Sequence, residues 1–431
     1  MSIIEELEKK WKNVQYPFLI HSSKNLYFKD INKEIKLDIS RIKQGDVVAL
    51  IGDFNPISIL ILLKLIDLGA IIMPLTKDTR EQHEYFFSSS NVNWVIENEK
   101  INNISNNMVH PLIEKLRVNK KPGLIVFSTG TTGKPKAILH DFSLVLKKFE
   151  TPRPTLRTIN FLLFDHMGGI NTLFHTLFNK GVIIAPEKRN VASILDTCKK
   201  YKVEVLPTTP TFLRMMLISG YVPLKIPKCI KIITYGTERM DQTTLNELCK
   251  LLPNVDFRQT FGMSEIGVVR VKSKARNSLY MKIGGEGIKS KIKNDILYIK
   301  STSGMLGYLN SNSPFDKDGW MNTNDIVEEK NGFFKIIGRK NEVINTGGLK
   351  FMPAEIEIVA LSYPNVSLCK AYARSNPITG QHVELIIQEI NNKSVDLIEF
   401  KKFLKMKLSS HMIPKRIIID KVKIGHRYKR S

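Results

Sequence analysis

Short apolar runs alternate with longer stretches of helical periodicity over the first two thirds of the chain. The runs 46–51 and 70–74 have the length of strands. Between them, Pro56–Leu68 repeats its apolar positions with a helical period and is followed by Gly69, a helix stop. Strand, helix and strand form a βαβ unit, which predicts a parallel sheet covered by helices.

The same alternation continues further along the chain and then changes character. More strand-like runs, separated by helix-length stretches, lie at 123–127, 181–185, 203–206, 230–234 and 255–257. From 284 to 337 short strands and turns predict a smaller β-rich subdomain. Beyond Arg339 there are two helical patterns and three strand-like runs, at 353–361, 395–408, 368–373, 383–388 and 416–420.

These patterns predict an α/β protein with two domains of unequal size. A large N-terminal domain of parallel βαβ sheets, with the β-rich subdomain, spans residues 1–339. A small α+β C-terminal domain spans 340–431, and the boundary is set at Lys340 and Asn341. A chain of 431 residues is too long for one ordinary core, which agrees with this division.

Charge is the unusual bulk property, with 65 Lys and Arg against 41 Asp and Glu and a net charge of +24. Such an excess attracts anions, including nucleic acid, an anionic cofactor or an acidic carrier protein. There is no interleaving of arginine with aromatic residues and no helix-turn-helix or RNA-binding motif. We therefore expect the charge to cover solvated faces and expect no nucleic-acid partner.

Cysteine usage and apolar run length bear on the compartment. The four cysteines are scattered and form no Cys-x-x-Cys pair, so neither a zinc site nor a disulfide framework is indicated. The most apolar stretch, 57–75, is interrupted by Lys64 and Asp67 and falls short of the roughly 20 apolar residues of a membrane span. The first ten residues lack the features of a signal peptide. We expect a cytoplasmic protein with no membrane partner.

A loop rich in glycine, hydroxyl and lysine follows the strand-like run 123–127. Hydroxyls that can donate to phosphate, glycines that let the backbone turn inward and lysines that offset charge are the parts of an anion-binding loop. They are Ser128, Thr129, Gly130, Thr131, Thr132, Gly133, Lys134 and Lys136. A P-loop is excluded, because only two residues separate the glycines and Pro135 follows Lys134.

The loop resembles the phosphate loop of the adenylate-forming superfamily, which includes acyl- and aryl-CoA synthetases, adenylation domains of peptide synthetases, and luciferases. Ala137 stands where that family usually has glycine. Further motifs similar to those of the family follow in the same order, at 164–170 (FDHMGGI), 234–238 (TYGTE), 259–265 (QTFGMSE), 319–325 (GWMNTND) and 338–350 (GRKNEVINTGGLK).

The resemblance implies roles for residues of the first three motifs. His166 would face the substrate carboxylate. Tyr235, Gly236 and Thr237 would border the adenine. In the third motif Phe261 would stack on the adenine beside Gly262, Ser264 would reach phosphate, and Glu265 would hold Mg²⁺ and take part in catalysis.

The last two motifs contain the implied ribose-binding residues, the hinge and the residues of the thiol tunnel. Asp325 would accept the two ribose hydroxyls, and Arg339 would contact ribose or phosphate. Asn324 replaces a family glycine, and Asn tolerates left-handed backbone. Asn341 stands at the position of the family hinge, about which the small domain rotates. Gly347 and Gly348 would then line the tunnel for the thiol.

The C-terminal tail departs from the family, which usually carries a Pro-x-x-x-x-Gly-Lys string with the adenylation lysine. In the family that lysine follows a strand-ending Asp by nine positions, and nine positions after Asp420 is Lys429. We therefore expect Lys429 to be catalytic, with His426 and Lys423 as alternatives. A basic tail with no catalytic lysine stays open.

The resemblance as a whole implies ATP- and Mg²⁺-dependent conversion of a small carboxylic acid to an acyl-adenylate, then transfer to the thiol of coenzyme A. Three alternatives stay open at this point. The acyl group could be loaded onto the phosphopantetheine arm of a carrier protein. The chain could be a catalytically impaired nucleotide-binding homologue, or, on its charge alone, a nucleic-acid binder. Neither the identity of the acid nor the oligomeric state follows from the residues.

Overall fold

The structure is a computed structural model and describes residues 2–34, 37–104, 110–128, 134–285, 287–390, 393–427 and 429. In this part of the chain four β-sheets carry the fold, three formed before residue 340 and one after it. The α/β fold with a large N-terminal part and a smaller C-terminal part is confirmed. The boundary between domains, set from the sequence at residue 340, stays a prediction.

The first sheet contains the strands that precede and follow the glycine loop. Its strands, in spatial order, are Gly307–Tyr308, Ala137–Asp141, Gly123–Phe127, Ile71–Leu75, Val47–Ile51, Trp94–Glu97 and Lys100–Asn103. The four strands from Gly123–Phe127 to Trp94–Glu97 are parallel, as expected for βαβ units. The outer pairings are antiparallel, so the sheet is mixed at both edges.

The second sheet is also mainly parallel and lies beside the first. Its strands, in spatial order, are Asp256–Gln259, Ile232–Tyr235, Val205–Thr208, Thr158–Ile159, Ile183–Ile184, Leu19–His21 and Lys24–Leu26. Only the hairpin partner at the edge, Lys24–Leu26, runs antiparallel. Because the other strands are parallel, their carboxyl ends meet at one edge of the sheet.

The third sheet is antiparallel and forms the β-rich subdomain. Its strands, in spatial order, are Phe261–Met263, Gly267–Ser273, Met281–Gly284, Phe333–Arg339, Met321–Lys330, Ile296–Ser301 and Ile288–Lys293. The subdomain therefore begins at Phe261, not at the expected residue 284. The first two strands were missed because Phe261–Met263 is short, and because Gly267–Ser273 is not a continuous apolar run but has the apolar–basic alternation of a half-exposed strand.

The fourth sheet belongs to the segment after the turn Lys340–Glu342. It contains the strands Leu349–Phe351, Ile344–Thr346, Gly380–Glu389, Val366–Asn376 and Arg416–Ile419. The helices Pro353–Leu361 and Leu397–Lys407 complete this segment, whose buried apolar side chains form a cluster of their own.

Helices cover the parallel sheets and end where the sequence provides caps. The α-helices of the larger part are Ile3–Trp11, Ile31–Glu34, Pro56–Leu68, His83–Ser89, Pro111–Val118, Phe142–Lys147, Met167–Phe178, Val191–Lys200, Pro210–Ile218 and Gln242–Leu251. Short 3₁₀ turns lie at Phe28–Asp30, Lys77–Gln82, Lys340–Glu342 and Ser410–Met412. The helix Pro56–Leu68 has the predicted bounds and ends at Gly69 with φ of 75°. No helix among the described residues is long and apolar enough to cross a membrane.

Arg214 connects the two parts of the molecule. From the helix Pro210–Ile218 its guanidinium donates to the backbone oxygens of Ser367, Leu361 and Val366, at 3.1, 3.1 and 3.4 Å. It also donates to the Thr244 hydroxyl at 3.0 Å. One planar group thus fixes the smaller part against the second sheet.

Candidate functional site

A cavity of about 950 Å³ lies where the second and third sheets and the chain terminus meet. Parallel strands collect their carboxyl ends at one edge, and polar residues that follow those ends commonly bind ligands. Twelve residues named in the sequence analysis line the cavity: Ser128, Lys136, His166, Thr237, Phe261, Gly262, Ser264, Glu265, Asn324, Arg339, Asn341 and Lys429. They come from all six motifs and from the tail, whereas Asp325, next to Asn324, is outside the lining.

The turn after the strand Ile232–Tyr235 provides one wall. Thr237 lines the cavity with φ of 72°, an unusual backbone for a β-branched residue. Its hydroxyl is buried and has no partner within the described residues. A Cβ at Gly236 would lie 2.1 Å from the Thr260 hydroxyl, so glycine is required there. The Tyr235 ring is 1% exposed and lies in the core, not at the cavity, so only its backbone is near the turn.

The motif at 259–265 provides the carboxylate of the cavity. Phe261, Ser264 and Glu265 all line it. The Tyr308 hydroxyl donates to Glu265 Oε1 at 2.9 Å, which orients the carboxylate, and burial together with Glu265 raises the pKa of Tyr308. Behind them His140 Nε2 lies 2.7 Å from the Ser264 carbonyl oxygen; burial lowers the pKa of His140 to about 4. The imidazole is therefore neutral and donates to that oxygen.

Two neighbouring strands bring together an acid and a base, of which Arg339 lines the cavity and Asp325 is buried outside the lining. Asp325 is paired in register with Arg339, and Arg339 Nε lies 3.4 Å from Asp325 Oδ1. Burial raises the pKa of Asp325 to about 6, although Arg339 opposes the shift. Asn324 has φ of 59°, so the left-handed backbone expected from its replacement of glycine is confirmed.

The structure describes three residues of the glycine loop that were expected to bind phosphate, Ser128, Lys134 and Lys136. Thr129, Gly130, Thr131, Thr132 and Gly133, which were expected to bind phosphate, lie outside the described residues. Ser128 lines the cavity, and its hydroxyl accepts the Lys136 backbone N–H at 3.1 Å. Lys136 also lines the cavity, with Nζ 4.7 Å from the Tyr308 ring centre. Lys134 instead lies outside the cavity lining, over Tyr85.

His166 lies at the start of the helix Met167–Phe178. Its Nδ1 accepts the Gly168 N–H at 3.2 Å and caps the helix. Burial, Arg427 and Lys429 lower its pKa well below the usual value. The ring is therefore neutral, with Nδ1 as acceptor and the Nε2 hydrogen left as its donor.

The C-terminal tail enters this site and is held there by an ion-pair cluster. Arg427 donates to Asp165 Oδ2 at 3.2 Å, to the Asp165 carbonyl oxygen at 3.1 Å and to the Phe127 carbonyl oxygen at 3.2 Å. His426 Nε2 lies 3.3 Å from the same Oδ2. Burial alone would raise the pKa of Asp165, but Arg427 and His426 hold it below the usual range. We call Asp165, His426 and Arg427 the tail latch.

Lys429 is the tail cation that lines the cavity. Its carbonyl oxygen accepts the Gly425 N–H at 2.8 Å, which closes a turn. Burial and then Arg427 lower the pKa of Lys429 to about 8, against the opposing effect of Glu238. Of the three tail candidates, Lys423 is exposed and His426 contacts Asp165, whereas Lys429 reaches the cavity.

The expected hinge residue Asn341 lines the cavity, whereas the expected thiol-tunnel residues Gly347 and Gly348 do not. Asn341 lies in the turn Lys340–Glu342 and lines the cavity. Gly347 and Gly348 form the two-residue turn between Ile344–Thr346 and Leu349–Phe351, with φ of 60° and 89°. The turn is exposed and away from the cavity, so in this arrangement it lines no tunnel.

Sequence reasoning did not single out three residues of the site, which are Asp165, Tyr308 and Arg427. Asp165 stands next to His166 inside a quoted motif, and an acid in that apolar setting is a signal for a basic partner. Nothing in the sequence indicates that Arg427, 262 residues away, is the partner.

The chain matches the family model described as AMP-binding enzyme over residues 37–295. It is 25% identical over 327 residues to 4-coumarate-CoA ligase 1 of Narcissus pseudonarcissus, covering 67% of this chain and 60% of that protein. It is 26% identical over 323 residues to 2-succinylbenzoate–CoA ligase of Bacillus licheniformis, covering 68% and 64%. The matched region thus spans less than two thirds of the length of these relatives.

Comparison with solved structures extends the likeness to nearly the whole chain. The o-succinylbenzoate CoA synthetase of Bacillus subtilis, solved in complex with an acyl-adenylate intermediate, superposes with a TM-score of 0.77. The match covers 99% of this chain and 96% of that one at 17% identity. At that identity the likeness establishes the fold.

Proposed function

This chain belongs to the family of AMP-binding enzymes, and from this premise we propose that it activates a carboxylic acid with ATP and transfers the acyl group to coenzyme A. One observation supports the proposal above all. Glu265, Arg339 and Lys429, which come from three distant segments, line a single cavity. A carboxylate for Mg²⁺ and two cations for phosphate are the groups that adenylation needs.

The residues fit an adenine nucleotide with Mg²⁺. Thr237 lines the cavity and its hydroxyl lacks a partner among the described residues, so it would donate to a ligand acceptor, and Asp325 can accept ribose hydroxyls when ionised. Within the described chain no cluster of three or more His, Cys, Asp or Glu could hold a metal by itself. Mg²⁺ commonly takes one or two carboxylates plus substrate phosphates, so Glu265 would hold it and the bound ion would neutralise phosphate charge.

In the first half-reaction the substrate carboxylate oxygen attacks the α-phosphorus of ATP, and the bond to pyrophosphate breaks. Two anions approach each other, so charge neutralisation and in-line positioning are the protein's main task. We assign to the Lys429 ammonium the bridging of the carboxylate and the α-phosphate oxygens. The neutral His166 can donate from Nε2 to the same carboxylate without adding a charge.

The tail latch supports this assignment, because it fixes an irregular segment that would otherwise be free. Arg427 joins the tail to Phe127, the last residue before the glycine loop, and to Asp165 beside His166. Lys429, two residues further on, is then confined near both halves of the site. This geometry argues against a tail without a catalytic cation and against an impaired nucleotide binder.

In the second half-reaction a thiolate attacks the acyl carbon and AMP leaves. We propose that the segment after Asn341 rotates and brings Gly347 and Gly348 to the cavity, where glycines allow a thiol arm to pass close to the backbone. Coenzyme A is favoured as the thiol over a carrier protein because the relatives reported above are named as CoA ligases. A cytoplasmic location is part of the same proposal.

The test is ATP–pyrophosphate exchange over a panel of carboxylic acids, followed by thioester formation with coenzyme A. We expect exchange that requires both an acid and Mg²⁺, and a thioester product with AMP. A protein that binds ATP but exchanges no pyrophosphate with any acid would overturn the proposal. Exchange without thioester formation from coenzyme A would overturn only the assignment of coenzyme A as the thiol acceptor.

A further inference from the structure

The cavity extends along the second sheet from the carboxyl ends of its strands to their starts. The strand Val205–Thr208 lines it at both of its ends. Thr158 lines it too, and Thr158 pairs with both Val205 and Ile183, so these strand starts lie side by side. We call the end near His166 and Lys429 the reactive end, and the end near Thr158 and Val205 the distal end.

The helix Met167–Phe178 runs along the cavity between these ends. Its cavity-facing positions, Gly168, Asn171, Thr172 and His175, follow helical spacing and become polar toward its C-terminus. The opposite face packs into the core through Ile170, Leu173, Phe174 and Leu177. At 1.5 Å per residue, His175 lies about 12 Å along the helix axis from Met167. A polar wall thus reaches well beyond the reactive end.

Arg153 and His175 are brought together at the distal end by one amide. Asn179 Oδ1 accepts the Arg153 backbone N–H at 2.6 Å, and Asn179 Nδ2 donates to the His175 carbonyl oxygen at 2.8 Å. Arg153 and His175 both line the cavity. Thr155 and Thr176 confirm the proximity, because atoms of both lie 2.7 Å from a Cβ built on Gly181.

Positive charge at the distal end is uncompensated. Among the described residues, the charged side chains that line the cavity are one carboxylate, Glu265, and six cations: Lys136, Arg153, Arg258, Arg270, Arg339 and Lys429. Arg258 pairs with Asp256 and Arg339 with Asp325, whereas Lys136, Arg153, Arg270 and Lys429 form no ion pair within the described chain. Of these four, Arg153 is the cation whose backbone is tied to the distal end through Asn179. Burial, and after it the charge of Arg153, lowers the pKa of His175. The same two causes lower the pKa of Lys148 to about 8. Lys148 Nζ donates to the Val268 carbonyl oxygen.

Apolar side chains also contribute to the lining of the cavity, among them Leu162, Pro207 and Val268. An elongated cavity of mixed polarity with the cations Lys429 and Arg153 at its two ends matches a molecule with an anionic group at each end.

We propose that the substrate carries a second anionic group, which Arg153 and His175 bind while the first carboxylate is activated beside Lys429. The ends are separated by about 12 Å, the rise of the helix from Met167 to His175 at 1.5 Å per residue. The chemical class is therefore an elongated dicarboxylic acid with an alkyl or aryl spacer, not a short diacid. This inference rests on the proposed adenylation and names its substrate class.

The experiment is ATP–pyrophosphate exchange with matched pairs of acids at constant ionic strength. Succinic, adipic, suberic and sebacic acids are each compared with the monocarboxylic acid of the same chain length. We expect kcat/KM to favour the diacid over its partner for the longer pairs and to be low for succinic acid, which cannot span the cavity. An equal response to both members of every pair would overturn the inference and leave the proposed function standing.

Variants of Arg153 provide a second readout that does not depend on the panel alone. Arg153→Met should reduce the ratio of kcat/KM for the preferred diacid to kcat/KM for the monoacid of the same length about tenfold, since a hydrogen bond to a charged group is lost at an exposed position. Arg153→Glu should disfavour the diacid further and favour the ω-amino acid of the same length. Lys147→Met, which removes one positive charge outside the cavity lining, is the control and should leave the preference unchanged.

Three outcomes distinguish failure of the proposed diacid subsite from failure of the proposed adenylation. Loss of the diacid preference in Arg153→Met but not in Lys147→Met supports the subsite. A preference that is the same in all variants overturns it. Absence of exchange with every mono- and dicarboxylic acid overturns the proposed function and this inference together.

Discussion

At the scale of single residues, the Lys429 ammonium has the most exacting proposed role. Lys429→Ala should lower ATP–pyrophosphate exchange by about a hundred- to a thousandfold, the effect of losing one well-placed donor worth roughly 3–4 kcal/mol. Thioester formation from a supplied acyl-adenylate should be nearly unchanged, because that step lacks the α-phosphate approach. Lys423→Ala is the matched control, and unaltered exchange in Lys429→Ala would remove the assignment.

The residues of the tail latch act through Lys429 and so have a different signature. Arg427→Met should lower kcat for adenylation about tenfold with little change in the KM for ATP, because the tail loses three hydrogen bonds. Arg427→Lys should restore part of the rate by keeping a charge near Asp165. A rise in the KM for ATP with kcat unchanged would mean that Arg427 binds nucleotide instead.

The rate of adenylation should depend on pH through two groups with displaced pKa values. Asp325, raised to about 6, is protonated below that pH and then cannot accept from ribose with a full charge. Lys429, lowered to about 8, loses its proton above that pH and no longer offsets phosphate charge. Exchange should therefore be fastest between about pH 6 and 8. In Lys429→Arg the alkaline limb should move beyond pH 9, because a guanidinium stays protonated.

At the scale of elements, Arg214 holds the helix Pro353–Leu361 and the strand Val366–Asn376 against the second sheet. Any rotation of the smaller part must break these hydrogen bonds. Arg214→Met should therefore slow adenylation several-fold while thioester formation is unchanged or faster. Arg214→Lys, which keeps the charge but lacks the planar fork, should resemble Arg214→Met. Equal losses in both half-reactions would argue that Arg214 only stabilises the fold.

Elements were predictable from the sequence wherever their signals are local. The helix Pro56–Leu68 has an Asn cap, Pro at its first turn and Gly69 after its end, and its bounds are as expected. The strand Gly123–Phe127, buried throughout, was likewise found from its apolar run. The strand Gly267–Ser273 was missed although its apolar–basic alternation is the local signal of a half-exposed strand, because the prediction relied on continuous apolar runs.

Residues of the site were predictable to the extent that family-like motifs carry them. Glu265 and Arg339 line the cavity as expected. The contact of Arg427 with Asp165 joins positions 262 residues apart, and no local pattern encodes it. Tyr235 was expected in the turn that borders the adenine, and because its ring is buried in the sheet core, only its backbone is available for that role, which stays a prediction.

At the scale of the whole molecule, the site as described is suited to only one of the two half-reactions. Lys429 lines the cavity, whereas Gly347 and Gly348 are exposed at a distant turn. We propose that rotation of the smaller part about Asn341 withdraws Lys429 from the cavity and brings Gly347 and Gly348 to it. Asn341→Pro fixes one backbone dihedral and removes an N–H, so it should slow thioester formation more than adenylation. Asn341→Ala is the control, and equal slowing of both steps would argue against a hinge there.

The latch also has a consequence for how such enzymes diverge. An irregular tail carries the amino group, and the contacts of Arg427 and His426 with Asp165 hold it in place. Adenylation then requires the Lys429 ammonium at one position in the cavity but does not require a particular sequence around Lys429. The usual Gly-Lys motif can therefore be lost during divergence as long as an ion pair such as Asp165 with Arg427 holds the tail in the site. Conservation in such lineages should follow the pair Asp165 and Arg427 and not the letters around the lysine.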